Sequence, residues 1–173
     1  MNRSLPLLAA LAAMLAACAH GTPPLRQARL QVAATREGTS PWVEAQVAGQ
    51  PVRLLVDTGA TQSLLPASFA TANRLKRRAS AAEPMLIDAN GRRVKLGVAA
   101  NVPVTLDGTG QPFELDFLLN PSLATGEGVL APQELLRRGW AMTLDLEGGL
   151  LRFDPEAEAL ARLAERGPPV RMD

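Results

Sequence analysis

The segment from Leu54 to Thr61, Leu-Leu-Val-Asp-Thr-Gly-Ala-Thr, constrains the fold of this chain most strongly. An apolar run typical of a buried strand ends directly at the carboxylate of Asp57. A carboxylate is costly in that position unless it is hydrogen-bonded or paired. Gly59 allows the backbone to turn immediately afterwards, and the hydroxyls of Thr58 and Thr61 can hold the turn. The segment therefore predicts a strand that ends in an acidic tight turn, although an ordinary Asx turn has the same local pattern.

Alternating polar and apolar residues predict that most of the remaining chain forms strands. Residues 43–47 and 52–56 predict a hairpin with its turn at Gly49-Gln50, and this hairpin leads to Asp57. Asn90-Gly91 predicts the type I′ turn of a second hairpin. The hydrophobic fraction of 47% is enough for a packed core.

Three helices are predicted between or after the strands. Two are short and cover residues 66–75 and 133–138. The third begins after Asp154, which is expected to act as its N-cap, with Pro155 at the first helical position.

The N-terminus predicts export and lipidation. Residues 5–17 contain no charge and are too few to span a bilayer, but they fit the apolar region of a signal peptide. The four residues from Leu15 to Cys18 resemble a bacterial lipobox, which implies acylation of Cys18 and cleavage before it. Ala19 then implies the outer membrane, with the domain facing the periplasm. The alternative is a plain signal peptide with an incidental cysteine.

This organisation divides the chain into a signal peptide (1–17), a tether (18–28), a folded domain (29–154) and a C-terminal helix with a tail (155–173). The formal net charge is +1 and no basic block is present, so nucleic acid is not an expected partner. The single histidine, His20, and the single cysteine, Cys18, both lie near the signal junction. We therefore expect no catalytic triad, no metal site and no cofactor in the domain.

The sequence Asp-Thr-Gly-Ala-Thr after an apolar strand resembles the active-site loop of retropepsin-like aspartic proteases. The resemblance extends from about Thr39 to Phe153. It implies a mainly β fold, a single-lobe acid-protease β-barrel with one or two short helices, followed by the C-terminal helix. It also implies that Asp57 is catalytic and that Thr58, Gly59, Ala60 and Thr61 support the loop.

Two further segments resemble elements of that family. The turn at Ala89, Asn90 and Gly91 lies where the family has its flap, although a simple surface hairpin would look the same. The residues Val129 to Pro132, before the second short helix, resemble the family's hydrophobic-hydrophobic-glycine element. Ala131 stands where glycine is usual, and Pro132 removes a backbone donor.

The family's chemistry requires two carboxylates, and the aspartate loop occurs once in this chain. The resemblance therefore implies a homodimer in which Asp57 of each copy faces the other and the pair activates a water. The expected substrate is a peptide or protein bound as an extended strand, and Thr58 is expected to hydrogen-bond across the two-fold axis. The alternative is a catalytically silent lipoprotein of the same fold that binds peptides or acts as an envelope scaffold.

Overall fold

The computed structural model describes residues 26–35, 38–78, 84–87, 91, 93–106 and 112–166. The strands in these residues are β1 (Arg26–Thr35), β2 (Gly38–Val47), β3 (Gln50–Val56), β4 (Ser63–Pro66), β5 (Met85–Ile87), β6 (Arg93–Lys95), β7 (Gly97–Leu106), β8 (Phe113–Asn120), β9 (Glu127–Leu130), β10 (Trp140–Asp145) and β11 (Leu150–Pro155). The helices are α1 (Ala67–Ala72), α2 (Gln133–Arg137) and α3 (Glu156–Arg166).

Six strands form a closed barrel in the order β2, β3, β9, β4, β8 and β7, and β7 pairs back onto β2. The β3–β9 and β4–β8 pairs are parallel, so the carboxyl ends of β3 and β9 lie at the same end of the barrel. Alternate residues point inward and are fully or almost fully buried, as in β7 and β8. The predicted mainly β fold, a single-lobe barrel with two short helices and a C-terminal helix, is confirmed.

The hairpin that leads to the aspartate loop is formed by β2 and β3. Val43 pairs with Leu54 and Ala45 pairs with Val52, which places four buried side chains on one face. The turn consists of Ala48 and Gly49, with φ values of 51° and 76°. Both values are positive, as a type I′ turn requires, so the turn lies one residue earlier than the sequence predicts.

A second layer of strands extends from the barrel through β1. Residues 26–29 of β1 pair with β11, the following residues pair with β2, and β10 pairs with the outer side of β11. Strand β1 therefore includes Arg26, Gln27 and Ala28, which the sequence analysis assigns to the tether.

The C-terminal helix α3 begins at Glu156, one residue later than predicted, and Pro155, expected at the first helical position, is the last residue of β11. Asp154 is not an N-cap residue, because it lies within β11 and its side chain is fully buried. Its carboxylate is 3.0 Å from the Arg152 guanidinium and also contacts the guanidinium of Arg162 on α3. Leu160 and Leu163 of the same helix are 58% and 62% exposed. The ion pair between Asp154 and Arg162 therefore joins α3 to the hairpin, together with the Glu156 N–H, which donates to the Gly139 carbonyl at 2.9 Å.

Within the described residues, none of the helices has the length and apolarity needed to cross a membrane. The predicted signal peptide, and Cys18 within the predicted lipobox, lie outside the described residues.

Candidate active site

Asp57 lies directly after the last residue of β3, where two parallel strands hold the backbone. Val56 is paired with Leu130 of β9, and the Asp57 N–H donates to the Leu130 carbonyl at 3.0 Å. The parallel ladder thus continues one residue past the strand. This fixes the position of the Asp57 Cα relative to the barrel.

The Asp57 carboxylate is held by its own loop. Its Oδ1 accepts hydrogen bonds from the N–H groups of Gly59, at 2.9 Å, and Ala60, at 3.1 Å. Two backbone donors on one oxygen compensate the charge of a half-buried carboxylate. A Cβ on Gly59 would lie 3.4 Å from the same oxygen, and the φ of Gly59 is not positive, so the turn itself does not require a glycine at this position. These bonds are also those of an Asx turn, so the loop geometry fits both interpretations of Asp57.

The two threonines of the loop do not hold the turn. Thr58 and Thr61 are exposed, and neither hydroxyl forms a hydrogen bond within the described part of the chain. The turn is held by Asp57 Oδ1 and by the Ala60 N–H, which donates to the Asp57 carbonyl at 3.3 Å. The hydrogen bond of Thr58 across a two-fold axis stays a prediction.

Ala131, which stands where the resemblance predicts glycine, still forms a buried hydrogen bond to the start of β4. Its N–H donates to Ser63 Oγ at 3.0 Å, and both residues are fully buried. Ser63 begins β4, directly after the aspartate loop, so this bond joins the far side of the loop to the end of β9. The Ala131 methyl group therefore occupies core space without breaking the contact between the loop and β9.

Gly128 explains how β9 passes between β3 and β4. A Cβ at this position would lie 2.7 Å from the Leu64 carbonyl oxygen and 2.8 Å from a methyl of Leu54. Real Cβ atoms do not approach backbone so closely, and glycine is therefore required at this crossing.

Gln133 is a loop contact that the sequence interpretation missed. It is the first residue of α2, and its Nε2 donates to the Thr58 carbonyl. The two residues are separated by 75 positions, and no local pattern connects them. The sequence offers one clue to this contact. Gln133 is a polar residue at the start of α2, and α2 follows β9, the strand that pairs with β3.

The second predicted hairpin is present. Met85 of β5 pairs with Lys95, and Ile87 pairs with Arg93 of β6. Gly91 has a φ of 75°, as its place in the predicted turn requires, whereas Ala89 and Asn90 lie outside the described residues. The role of this hairpin as a flap stays a prediction.

No group of three or more metal-ligating side chains occurs among the described residues. The titratable residue nearest to the loop with a displaced pKa is Glu134, next to Gln133. Burial raises the pKa of its carboxyl above 4.5, and Arg138, which forms an ion pair with it, opposes the shift.

Comparison with protein families identifies the class. The family described as aspartyl protease matches residues 43–130, just over half of the chain, and this range contains Asp57 and β9. The chain therefore belongs to the aspartyl protease family. A comparison with curated proteins finds no match.

Three solved structures are similar in fold. A retropepsin-like aspartic protease from Rickettsia conorii is 22% identical, with a TM-score of 0.48, covering 75% of this chain and 92% of that one. The EIAV protease in complex with the inhibitor HBY-793 is 19% identical, with a TM-score of 0.44, covering 65% and 100%. The Simian Foamy Virus (mac) protease is 18% identical, with a TM-score of 0.39, covering 55% and 91%.

Proposed function

We propose that this protein is an aspartic endopeptidase that hydrolyses peptide bonds with Asp57 as its catalytic residue. The observation that carries the proposal is the placement of the Asp57 carboxylate at the end of β3. Oδ1 is fixed there by the amides of Gly59 and Ala60. Within the described residues Oδ2 forms no hydrogen bond, which leaves it available to a water or to a second carboxylate.

The chemistry requires a pair of such carboxylates. Two carboxylates in contact cannot both be ionised, so the pair shares one proton. The ionised member takes a proton from a water, and the water oxygen attacks the scissile carbonyl carbon. The protonated member donates to the carbonyl oxygen, which stabilises the developing charge. The step needs neither a metal nor a covalent intermediate.

The second carboxylate belongs to a second copy of the chain. One aspartate loop is present per chain, and a two-fold axis beside Asp57 would bring two copies of it together. A peptide or protein substrate would lie between the loops and the β5–β6 hairpins as an extended strand.

The dimer is anchored in the cell envelope through acylated Cys18, on the outer membrane and facing the periplasm. The support for this is the lipobox resemblance at residues 15–18. Acyl chains give stable anchoring when more than one is attached. Metabolic labelling with a radioactive fatty acid is expected to mark the wild-type chain and not Cys18→Ala. Equal labelling of both would contradict the assignment.

A catalytically silent peptide-binding module or envelope scaffold is the second candidate. Pro132 favours it, because this residue directly precedes Gln133, which contacts the aspartate loop, and it offers no N–H to a bound strand. Such a protein would bind extended peptides and leave them intact.

One experiment separates these candidates. The purified full-length chain in detergent is incubated with a peptide library between about pH 4 and pH 7, beside the Asp57→Asn variant. The proposal expects cleavage by the wild type and a loss of about 10²–10⁴-fold in the variant. The introduced asparagine side chain keeps an oxygen for the two loop amides, so we expect similar melting temperatures. Peptide binding without cleavage by the wild type, or equal cleavage by both, would contradict the proposal.

A further inference from the structure

Gln133 acts on the aspartate loop through a single peptide group. Its Nε2 donates to the carbonyl oxygen of Thr58. The same peptide bond carries the N–H of Gly59, which donates to Asp57 Oδ1 at 2.9 Å. Because a peptide group is planar, a bond that fixes the carbonyl oxygen also fixes the direction of the N–H. A donor on the carbonyl also polarises that N–H and strengthens its bond to the carboxylate.

The other half of the Gln133 amide supports a specific role. Its Oε1 is buried and has no hydrogen-bond partner among the described residues. A buried polar atom without a partner is destabilising, and in native proteins such an atom calls for a functional or structural reason. An apolar side chain of equal length would fill the same space without this cost. The presence of a side-chain amide at position 133 is thus explained by the hydrogen bond that its Nε2 donates and not by packing.

We propose that Gln133 is a positioning residue for the Asp57 carboxylate. It holds the Thr58–Gly59 peptide so that the Gly59 N–H points at Oδ1, and it does not itself touch the substrate. The inference rests on the proposed protease activity. If Gln133 positions the carboxylate in this way, loss of its N–H donor should lower kcat and leave KM nearly unchanged.

Gln133→Glu turns this hydrogen bond into a pH-dependent one. A protonated carboxyl group at this position still donates an O–H to the Thr58 carbonyl. An ionised carboxylate has no donor and repels the carbonyl oxygen. The bond is therefore present at low pH and is lost as the pH rises through the pKa of the introduced carboxyl. Gln133→Met has nearly the same shape and no donor at any pH.

The test compares kcat for the wild type, Gln133→Glu and Gln133→Met in the full-length dimer from about pH 4 to pH 7. Arg137→Gln is the matched control, because Arg137 is exposed on the same helix and the change alters the net charge equally. The ratio of kcat for Gln133→Glu to that of the wild type is expected to fall about 10- to 100-fold across this range. The kcat of Gln133→Met should be lower than that of the wild type by the same factor at every pH. The kcat of Arg137→Gln should match that of the wild type. A constant ratio for Gln133→Glu, or full activity of Gln133→Met, would overturn the proposal.

A second measurement does not depend on activity. Amide hydrogen exchange in the peptide that spans residues 57–61 reports directly on the Gly59 and Ala60 N–H groups. Exchange is expected to be about tenfold faster in Gln133→Met than in the wild type, with other peptides unchanged. Equal exchange would overturn the positioning role. Absence of wild-type cleavage together with faster exchange would instead overturn the proposed function and leave the positioning role supported.

Discussion

The hydroxyl of Ser63 accepts a hydrogen bond from the backbone N–H of Ala131 at 3.0 Å, with both residues fully buried. This bond connects the residue at which the chain leaves the aspartate loop with the residue that follows β9. Asp57 is bonded to Leu130, the preceding residue, from the other side of the loop. The two ends of the loop are therefore fastened to two consecutive residues, Leu130 and Ala131, and the loop is a rigid support for the carboxylate.

Ser63→Ala is expected to destabilise the fold, because it leaves the buried N–H of Ala131 without a partner. The expected loss in the free energy of unfolding is about 1–3 kcal/mol, measured by urea denaturation. Ser68→Ala is the matched control. Its hydroxyl contacts Thr125 at 3.3 Å on the exposed surface, and the change should cost less than about 0.5 kcal/mol. Equal effects of the two changes would contradict the role given to Ser63.

Asp154→Ala is expected to release α3 from the β10–β11 hairpin. The change leaves the Arg152 and Arg162 guanidinium groups without their shared carboxylate, and removal of one partner from a buried ion pair typically costs about 3–5 kcal/mol. Because both arginines are partly exposed, we expect the lower end of that range in urea denaturation, with faster amide exchange in α3. Glu165→Ala, an exposed change on the same helix, serves as the control. Unchanged exchange in α3 would show that other contacts hold the helix.

Glu134 is expected to make the fold less stable as the pH rises. Burial raises the pKa of its carboxyl in the folded state above 4.5, so the folded chain binds this proton more tightly than the unfolded chain does. The contribution of Glu134 to the free energy of unfolding is therefore most favourable below pH 4.5. It declines as the pH rises through the pKa of Glu134 in the folded state. The difference in melting temperature between the wild type and Glu134→Gln should therefore shift in favour of the variant as the pH rises. A shift in the opposite direction would contradict the assignment.

Local patterns in the sequence predict much of this fold. The hairpin of β2 and β3 follows from alternation and the turn residues, and the end of β3 at Asp57 follows from an apolar run that stops at a charge. The pattern places the turn itself one residue too late, because a positive φ at Ala48 is uncommon for a residue with a Cβ.

Contacts between distant residues could not be predicted in the same way. Asp154 has the pattern of an N-cap, whereas in the structure it pairs with Ala141 of β10 and its carboxylate contacts Arg162 on α3. Gln133 contacts Thr58 only because β9 inserts in parallel beside β3 and starts α2 near the loop. The sequence pattern identifies Asp57 as the candidate catalytic residue, whereas the contact that Gln133 makes with its loop depends on the tertiary fold.

The central claim is that Asp57 works only opposite the Asp57 of a second copy, and subunit mixing tests it most directly. Wild-type chain is held at a fixed concentration and equilibrated with about a ninefold excess of Asp57→Asn chain, under conditions in which sedimentation shows dimers. Most wild-type chains are then paired with the variant and lack a second carboxylate. We predict that cleavage falls roughly tenfold relative to an equal excess of an unrelated protein. Unchanged cleavage would show that each chain acts with its own Asp57 alone and would contradict the shared active site.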